Sequence, residues 1–245
     1  IPSMKYKDYY LDEPIEGKSF LRQNGKYLAF AETVLMYPKQ IAVTYSHSDS
    51  WQRFIPKSCS EKFPRLLRKL ENKEPVRILL FGDSISAGAN ATSSSGREPK
   101  MPKFIDLLVY FLKKKYGYDD ISYVNTSVGG KNSAWGRETV SENALRYESD
   151  LAIIGFGMNN CFTPLDEFER DIKSIRDSIA EKMPECEFIL IATMVPNKEL
   201  KGFWGNQIIQ KEALYHLENE KTAVADMTDY HLAMLETKEF YDMTG

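Results

Sequence analysis

From Val76 onward the chain alternates short apolar runs with amphipathic stretches, the pattern of strands and helices taking turns. The runs predict strands over 76–82, 121–126, 151–156, 188–194 and 222–226. Three of them are nearly continuous, as strands covered on both faces should be. Between the strands, Leu165, Phe168, Ile172, Ile175 and Ile179 recur at three- and four-residue steps, with charged residues elsewhere. That spacing predicts a helix over 164–183, with Pro164 in its first turn and Pro184 at its end. Further helices are expected near 102–116 and 206–219, and a connecting helix over 60–74. Such alternation builds an α/β domain on a parallel sheet with right-handed crossovers.

Residues 1–58 follow another pattern. Tyr27-Leu28-Ala29-Phe30-Ala31 and Gln40-Ile41-Ala42-Val43-Thr44-Tyr45 read as strands, with Pro and Gly around them and no strong helix. Two or three strands do not make a stable domain alone. This segment is expected to pack on the main domain or to be the remnant of a larger β module cut off upstream. The expected layout is a β segment over 1–58, a connector over 59–75 and the main domain over 76–245.

Composition changes little in this picture. With 245 residues, 42% hydrophobic and 27% charged, the chain is of ordinary globular type. A net charge of −3 leaves no footprint for nucleic acid. The basic runs at 65–69 and 113–115 read as solvated helix faces. No apolar stretch reaches the ~20 residues a membrane span needs. No secretory signal is visible, but the chain opens Ile1-Pro2-Ser3 without an initiator Met, so this leaves the compartment open. Cys59, Cys161 and Cys186 are too few for a disulfide framework, and with three histidines none falls at metal-ligand spacing. No metal and no cofactor are expected.

The candidate chemistry sits at strand ends. Gly82-Asp83-Ser84 follows the first apolar run and puts a hydroxyl where a helix can begin, beside unsatisfied N–H groups. Alone this is a modest signal, since a chain of this length holds Gly-Asp-Ser by chance roughly once in 15 cases. Two more segments strengthen it. Asn125-Thr126-Ser127-Val128-Gly129-Gly130 ends the second strand in paired glycines, whose backbone can approach a ligand closely. Gly157-Met158-Asn159-Asn160 follows the third strand and supplies a side-chain amide. A hydroxyl, a backbone N–H and an amide on one sheet edge are the parts for acyl transfer.

In order and spacing these blocks resemble the SGNH hydrolases, or GDSL esterase/lipase superfamily, over about 76–245. The resemblance implies a flavodoxin-like three-layer α/β/α sandwich with a parallel sheet, plus the small N-terminal β segment. It makes Ser84 the nucleophile. The oxyanion donors would be the Ser84 N–H, the Gly130 N–H and the Asn159 amide, with Asp83 and Asn125 in support. Asn160 departs from the family, where this block usually ends in Asp.

The base departs further. His231 is preceded three residues earlier by Thr228 rather than Asp and followed by the apolar Leu232-Ala233-Met234-Leu235. It reads first as an early helix residue and only second as the general base. The tail Phe240-Tyr241-Asp242-Met243-Thr244-Gly245 resembles a segment that precedes an Asn-His-Pro-Asn block in a bacterial branch of the superfamily. That branch also carries an upstream β module. The resemblance therefore places the catalytic imidazole beyond residue 245, which would leave this chain weakly active or inactive.

Members with such a module resemble carbohydrate esterases that remove acetyl groups, which makes an acylated oligosaccharide or small ester the expected substrate. Trp135 and Trp204 are candidates to stack on a sugar, and packing under a loop is at least as good a reading of each. The rival readings are a lipase-like esterase and a non-catalytic glycan-binding protein that keeps the cleft. A nucleotide-binding module is disfavoured, since no phosphate loop follows the first strand.

Overall fold

The computed structural model describes residues 10–13, 19–23, 26–29, 46, 48, 50–89, 91–96, 100–196 and 204–238. The chain forms two compact units. The first comprises Ile1–Phe54, Gly88–Lys103 and Ala233–Gly245, the second Ile55–Ala87 and Phe104–Leu232.

In the first unit β1 (Tyr10–Leu11), β2 (Ser19–Gln23) and β3 (Lys26–Ala29) form an antiparallel sheet in the order β1-β3-β2. The strand predicted at 27–31 is β3. The one predicted at 40–45 lies outside the described residues, as does the tail 240–245.

The second unit begins with α1 (Pro64–Glu71) and β4 (Val76–Gly82). A single turn α2 (Ser84–Ala87), the long α3 (Phe104–Tyr116) and β5 (Ile121–Asn125) follow. Next come α4 (Ser133–Glu138), α5 (Val140–Asn143), β6 (Leu151–Gly155) and α6 (Leu165–Lys182). The unit closes with β7 (Glu187–Ala192), α7 (Gln210–His216), β8 (Thr222–Asp226) and most of α8 (Met227–Leu235). All five strands are parallel, in the order β5-β4-β6-β7-β8. Relative to one another that is 2-1-3-4-5, the flavodoxin-like order, and the ligand crevice of such a sheet opens between its first and third strands. Here those are β4 and β6.

Strand alternation sorts the core into two layers. Val76, Ile78 and Leu80 of β4 join Leu151 and Ile153 of β6 on one face, against Leu66 and Leu70 of α1 and Ile105 and Val109 of α3. Leu79 and Phe81 join Ala152 and Ile154 on the other face, against α6 and α7. The stripe Phe168, Ile172, Ile175 and Ile179 is fully buried there. Each such side chain contributes about 1.5–3 kcal/mol by leaving water, so packing holds α6 in place. The helix predicted as a connector is a covering layer of this unit. Its first free N–H groups, those of Arg65 and Leu66, each donate to one oxygen of the buried Glu187 at 2.9 Å.

Candidate active site

Three loops leave the carboxyl edge of β4, β5 and β6, which are neighbours in the sheet, and hydrogen bonds tie each loop to the other two. β4 and β6 approach closely at the pair Gly82 and Gly155. A Cβ on Gly82 would lie 2.2 Å from the Gly155 carbonyl oxygen, so only glycine fits. Asp83 follows, fully buried, its N–H donating to the same carbonyl at 3.1 Å. Its carboxylate accepts from the Ile85 N–H at 2.9 Å and, across to the third loop, from the Met158 N–H at 3.2 Å. Burial pushes the Asp83 carboxyl up to about 6, partly offset by the N–H groups of Ile85, Met158 and Ser86. Ser84 then opens α2, half-buried, so its own N–H has no partner within the helix.

The second loop is bound to the first in the same way. The Asn125 amide donates to the Ser86 carbonyl at 2.8 Å, and its oxygen accepts from Ser127 N–H at 3.0 Å. Val128 N–H donates to the Gly82 carbonyl at 3.0 Å. Gly129 and Gly130 are the middle of a turn closed by Lys131 N–H on the Val128 carbonyl. Gly130 sits at φ +77, a left-handed conformation that favours glycine. A Cβ built on Gly129 would lie 3.7 Å from the Cβ of Ser84, which makes these two residues neighbours.

The third loop carries Asn159. Its Nδ2 donates to the Lys131 carbonyl at 2.9 Å, which holds one amide hydrogen and leaves the second to point elsewhere. Asn160 is buried and fully engaged. Its Oδ1 accepts from Ser133 N–H, and its Nδ2 donates to the hydroxyls of Ser133 and Thr163. From outside, Gln207 Nε2 donates to the Met158 carbonyl and Gln210 Nε2 to the Asn160 carbonyl. These two glutamines fall within the predicted 206–219 helix, yet nothing in the apolar pattern marked them as supports of this loop.

Of 245 residues, 80–231 match the family model of the GDSL-like Lipase/Acylhydrolase family. The chain belongs to that family. No curated protein sequence matches this GDSL-like chain significantly. Among solved structures it is similar to a two-domain esterase active on acetylated mannans, with 16% identity and a TM-score of 0.59. That match covers 74% of this chain and 45% of the other, so the chain spans less than half the length of that esterase. It is also similar to a catalytic mutant of an acetylxylan esterase from Geobacillus stearothermophilus, with 18% identity and a TM-score of 0.51. There 66% of this chain and 81% of the other are covered. The GDSL-like chain therefore has the α/β fold of the SGNH hydrolases.

The remaining candidates lie as follows. His231 is on α8 and buried, and its Nδ1 accepts the Val195 N–H at 3.0 Å. A neutral ring that accepts at Nδ1 carries its proton on Nε2, and burial holds its pKa below the usual histidine value. Nearby, Thr228 Oγ1 donates to the Thr193 carbonyl at 2.7 Å, so α8 is pinned to the segment after β7 at two points. His216 is exposed at the end of α7, 3.0 Å from Glu169. His47 lies outside the described residues. Trp135 packs its ring against Phe81 and Phe156, at 5.8 and 6.3 Å between centroids, with the Lys131 ammonium 5.6 Å from its own. Trp204 is half-buried just before Asn206, whose amide donates to the Thr163 carbonyl. Cys186 is a core thiol, pushed up to about 12 by burial. Among the described residues no cluster of three His, Cys, Asp or Glu could hold a metal ion, and no helix is long and apolar enough to cross a membrane.

Proposed function

We propose that this site hydrolyses a short-chain acyl ester, an acetyl group on a carbohydrate. Ser84 Oγ attacks the acyl carbon as a general base takes its proton and passes it to the leaving alcohol, and the developing oxyanion is met by the N–H groups of Ser84 and Gly130 and the free hydrogen of the Asn159 amide. The alcohol leaves, and water then releases the acid from the acyl-serine. One observation carries this reading. The loops bearing Ser84, Gly129–Gly130 and Asn159 are bound pairwise, by Asp83 to Met158, by Asn125 to Ser86 and by Asn159 to Lys131. The substrate class rests on the esterases of acetylated mannans and xylan that share the fold, and Trp204, beside the third loop, is the ring offered to a sugar. Trp135 is occupied with Phe81 and Phe156, and in this reading it supports the loop rather than the substrate.

Esterolysis needs a base to take the Ser84 proton. His231 carries its proton on the nitrogen that would have to receive one, so it serves as a clamp on Val195. His216 is paired with Glu169. This favours one second reading, a glycan-binding protein that keeps the cleft without turnover. The two separate in one experiment. Acetate release from acetylated xylo- and manno-oligosaccharides, together with fluorophosphonate labelling, is expected from the wild type and lost in Ser84→Ala. Binding of the same oligosaccharides with neither labelling nor acetate release would instead select the second reading.

A further inference from the structure

We propose that Asp171 is a positioning residue for the Asn159 amide, acting through a buried chain from Asn160 to Ser133 to Asp171 whose direction admits a carboxylate at one end only. The catalytic half of this proposal rests on the esterase reading above, while the direction of the chain does not.

The direction follows from one donor. The Ser133 N–H can only donate, so the Asn160 atom facing it at 3.2 Å is the carbonyl oxygen. That fixes the amide nitrogen 2.8 Å from Ser133 Oγ and 3.1 Å from Thr163 Oγ1. The Ser133 hydroxyl therefore accepts from Asn160, and its own hydrogen is left for Asp171 Oδ2 at 2.9 Å. The second carboxylate oxygen faces the Arg137 guanidinium at 3.3 Å. Ser133, Asn160 and Asp171 are all at most 3% exposed, so water does not substitute for any of these bonds.

The chain matters for catalysis because it is one rung of two. Lys131 and Ser133 lie on one side, Asn159 and Asn160 on the other. The first rung is Asn159 Nδ2 on the Lys131 carbonyl, which aims the remaining amide hydrogen. The second is the pair of bonds between Asn160 and Ser133. Slackening the second rung lets the first rotate. Asp171 pulls on it from α6, a helix held by its own buried stripe.

The test exchanges charge along the chain. In Asn160→Asp two buried carboxylates would share one hydroxyl hydrogen. In Asn160→Asp with Asp171→Asn a single carboxylate returns at the opposite end and the chain can run backwards. Because Asp171→Asn also removes one of the carboxylate partners of Arg137, the other being Glu138, the comparison that decides is the double variant against Asn160→Asp. Asn160→Asp is expected to lower the melting temperature by about 5 °C or more. It should also reduce kcat on p-nitrophenyl acetate about 10- to 100-fold with KM within about twofold. The double variant should recover most of both. Ser133→Ala, which adds no charge, should fold and lose about 10-fold in kcat.

A double variant no better than Asn160→Asp, or a Ser133→Ala protein with wild-type kcat, overturns the proposal. A wild type silent in turnover and in fluorophosphonate labelling overturns the esterase reading and the link to catalysis. Recovery of the melting temperature in the double variant would still uphold the direction of the chain.

Discussion

Asp83 and Asp150 are both buried aspartates, one at each end of the same sheet, and their surroundings are opposite. Asp150 precedes β6 at the amino edge, where Lys69 and Arg65 reach it at 2.8 Å and the Arg77 N–H at 2.9 Å. Burial alone would raise its pKa, but these partners outweigh it and hold the carboxyl below the usual range. Asp83, at the carboxyl edge, faces backbone N–H groups and, among the described residues, no cation, and burial wins. The amino edge therefore completes its charges inside the fold and serves stability. The carboxyl edge leaves Asp83 to backbone N–H groups alone, and in the proposed reading its donors serve the reaction at some cost in stability.

Removing a donor from the carboxyl edge should have the largest effect on chemistry. Asn159→Ala is expected to lower turnover about 10²- to 10³-fold, as loss of one oxyanion donor does. Its melting temperature should change little, because among the described residues the Asn159 side chain gives up one hydrogen bond, to the Lys131 carbonyl. Steady-state kinetics on p-nitrophenyl acetate beside a thermal melt reads both. A loss confined to stability would make the two edges alike and defeat the contrast.

A smaller effect is expected at Asp83, and its signature is a pair of opposite pH trends. The folded value near 6 lies above the ordinary 3.8, so the folded chain holds this proton more tightly than the unfolded one. The stability it contributes is full below about pH 4 and is lost as pH rises through 6. The tie to Met158 works the other way, since only the ionised carboxylate offers acceptors to both Ile85 and Met158. Labelling of Ser84 should therefore rise through about pH 6 while the melting temperature falls. In Asp83→Asn both trends should vanish, with turnover about 10-fold down for the lost tie. Parallel trends in the wild type would show that Asp83 does not hold the first loop to the third.

What the chain reveals before folding divides along similar lines. Strands, the α6 stripe and the three loops are legible, because apolar runs and strand-end glycines carry their own chemistry. The strand order is not, since β4, β6 and β7 are all strongly apolar runs and the pattern does not say which lies at the centre of the sheet. Nor is the division into units, because 88–103 and 233–245 group with the N-terminal residues across long sequence separations. Asp171 reads from periodicity as one of the solvent-facing charges of α6, yet it is buried on the stripe between Phe168 and Ile175. A charge three residues after one buried aromatic and one before Ile172 was the available signal. Nor does periodicity show that Asn160 and Asp171 meet at one hydroxyl, that of Ser133.

The smallest effect on chemistry should come from the amino edge, and it sharpens the comparison. Glu187 accepts two N–H groups from the first turn of α1, one on each oxygen at 2.9 Å. Glu187→Gln keeps the volume but offers one oxygen and one NH₂, so one helix N–H faces another donor. Loss of a buried bond to a charged acceptor costs about 1.5–3 kcal/mol, and in a chain of this length the melting temperature should fall by about 3–12 °C. Turnover at 25 °C should stay within about twofold, because Glu187 and the start of α1 meet at the amino edge, at the far end of the sheet from Ser84. A large fall in turnover with the fold intact would mean that strain at α1 reaches Gly82 along the strand. The two edges would then be one mechanical unit.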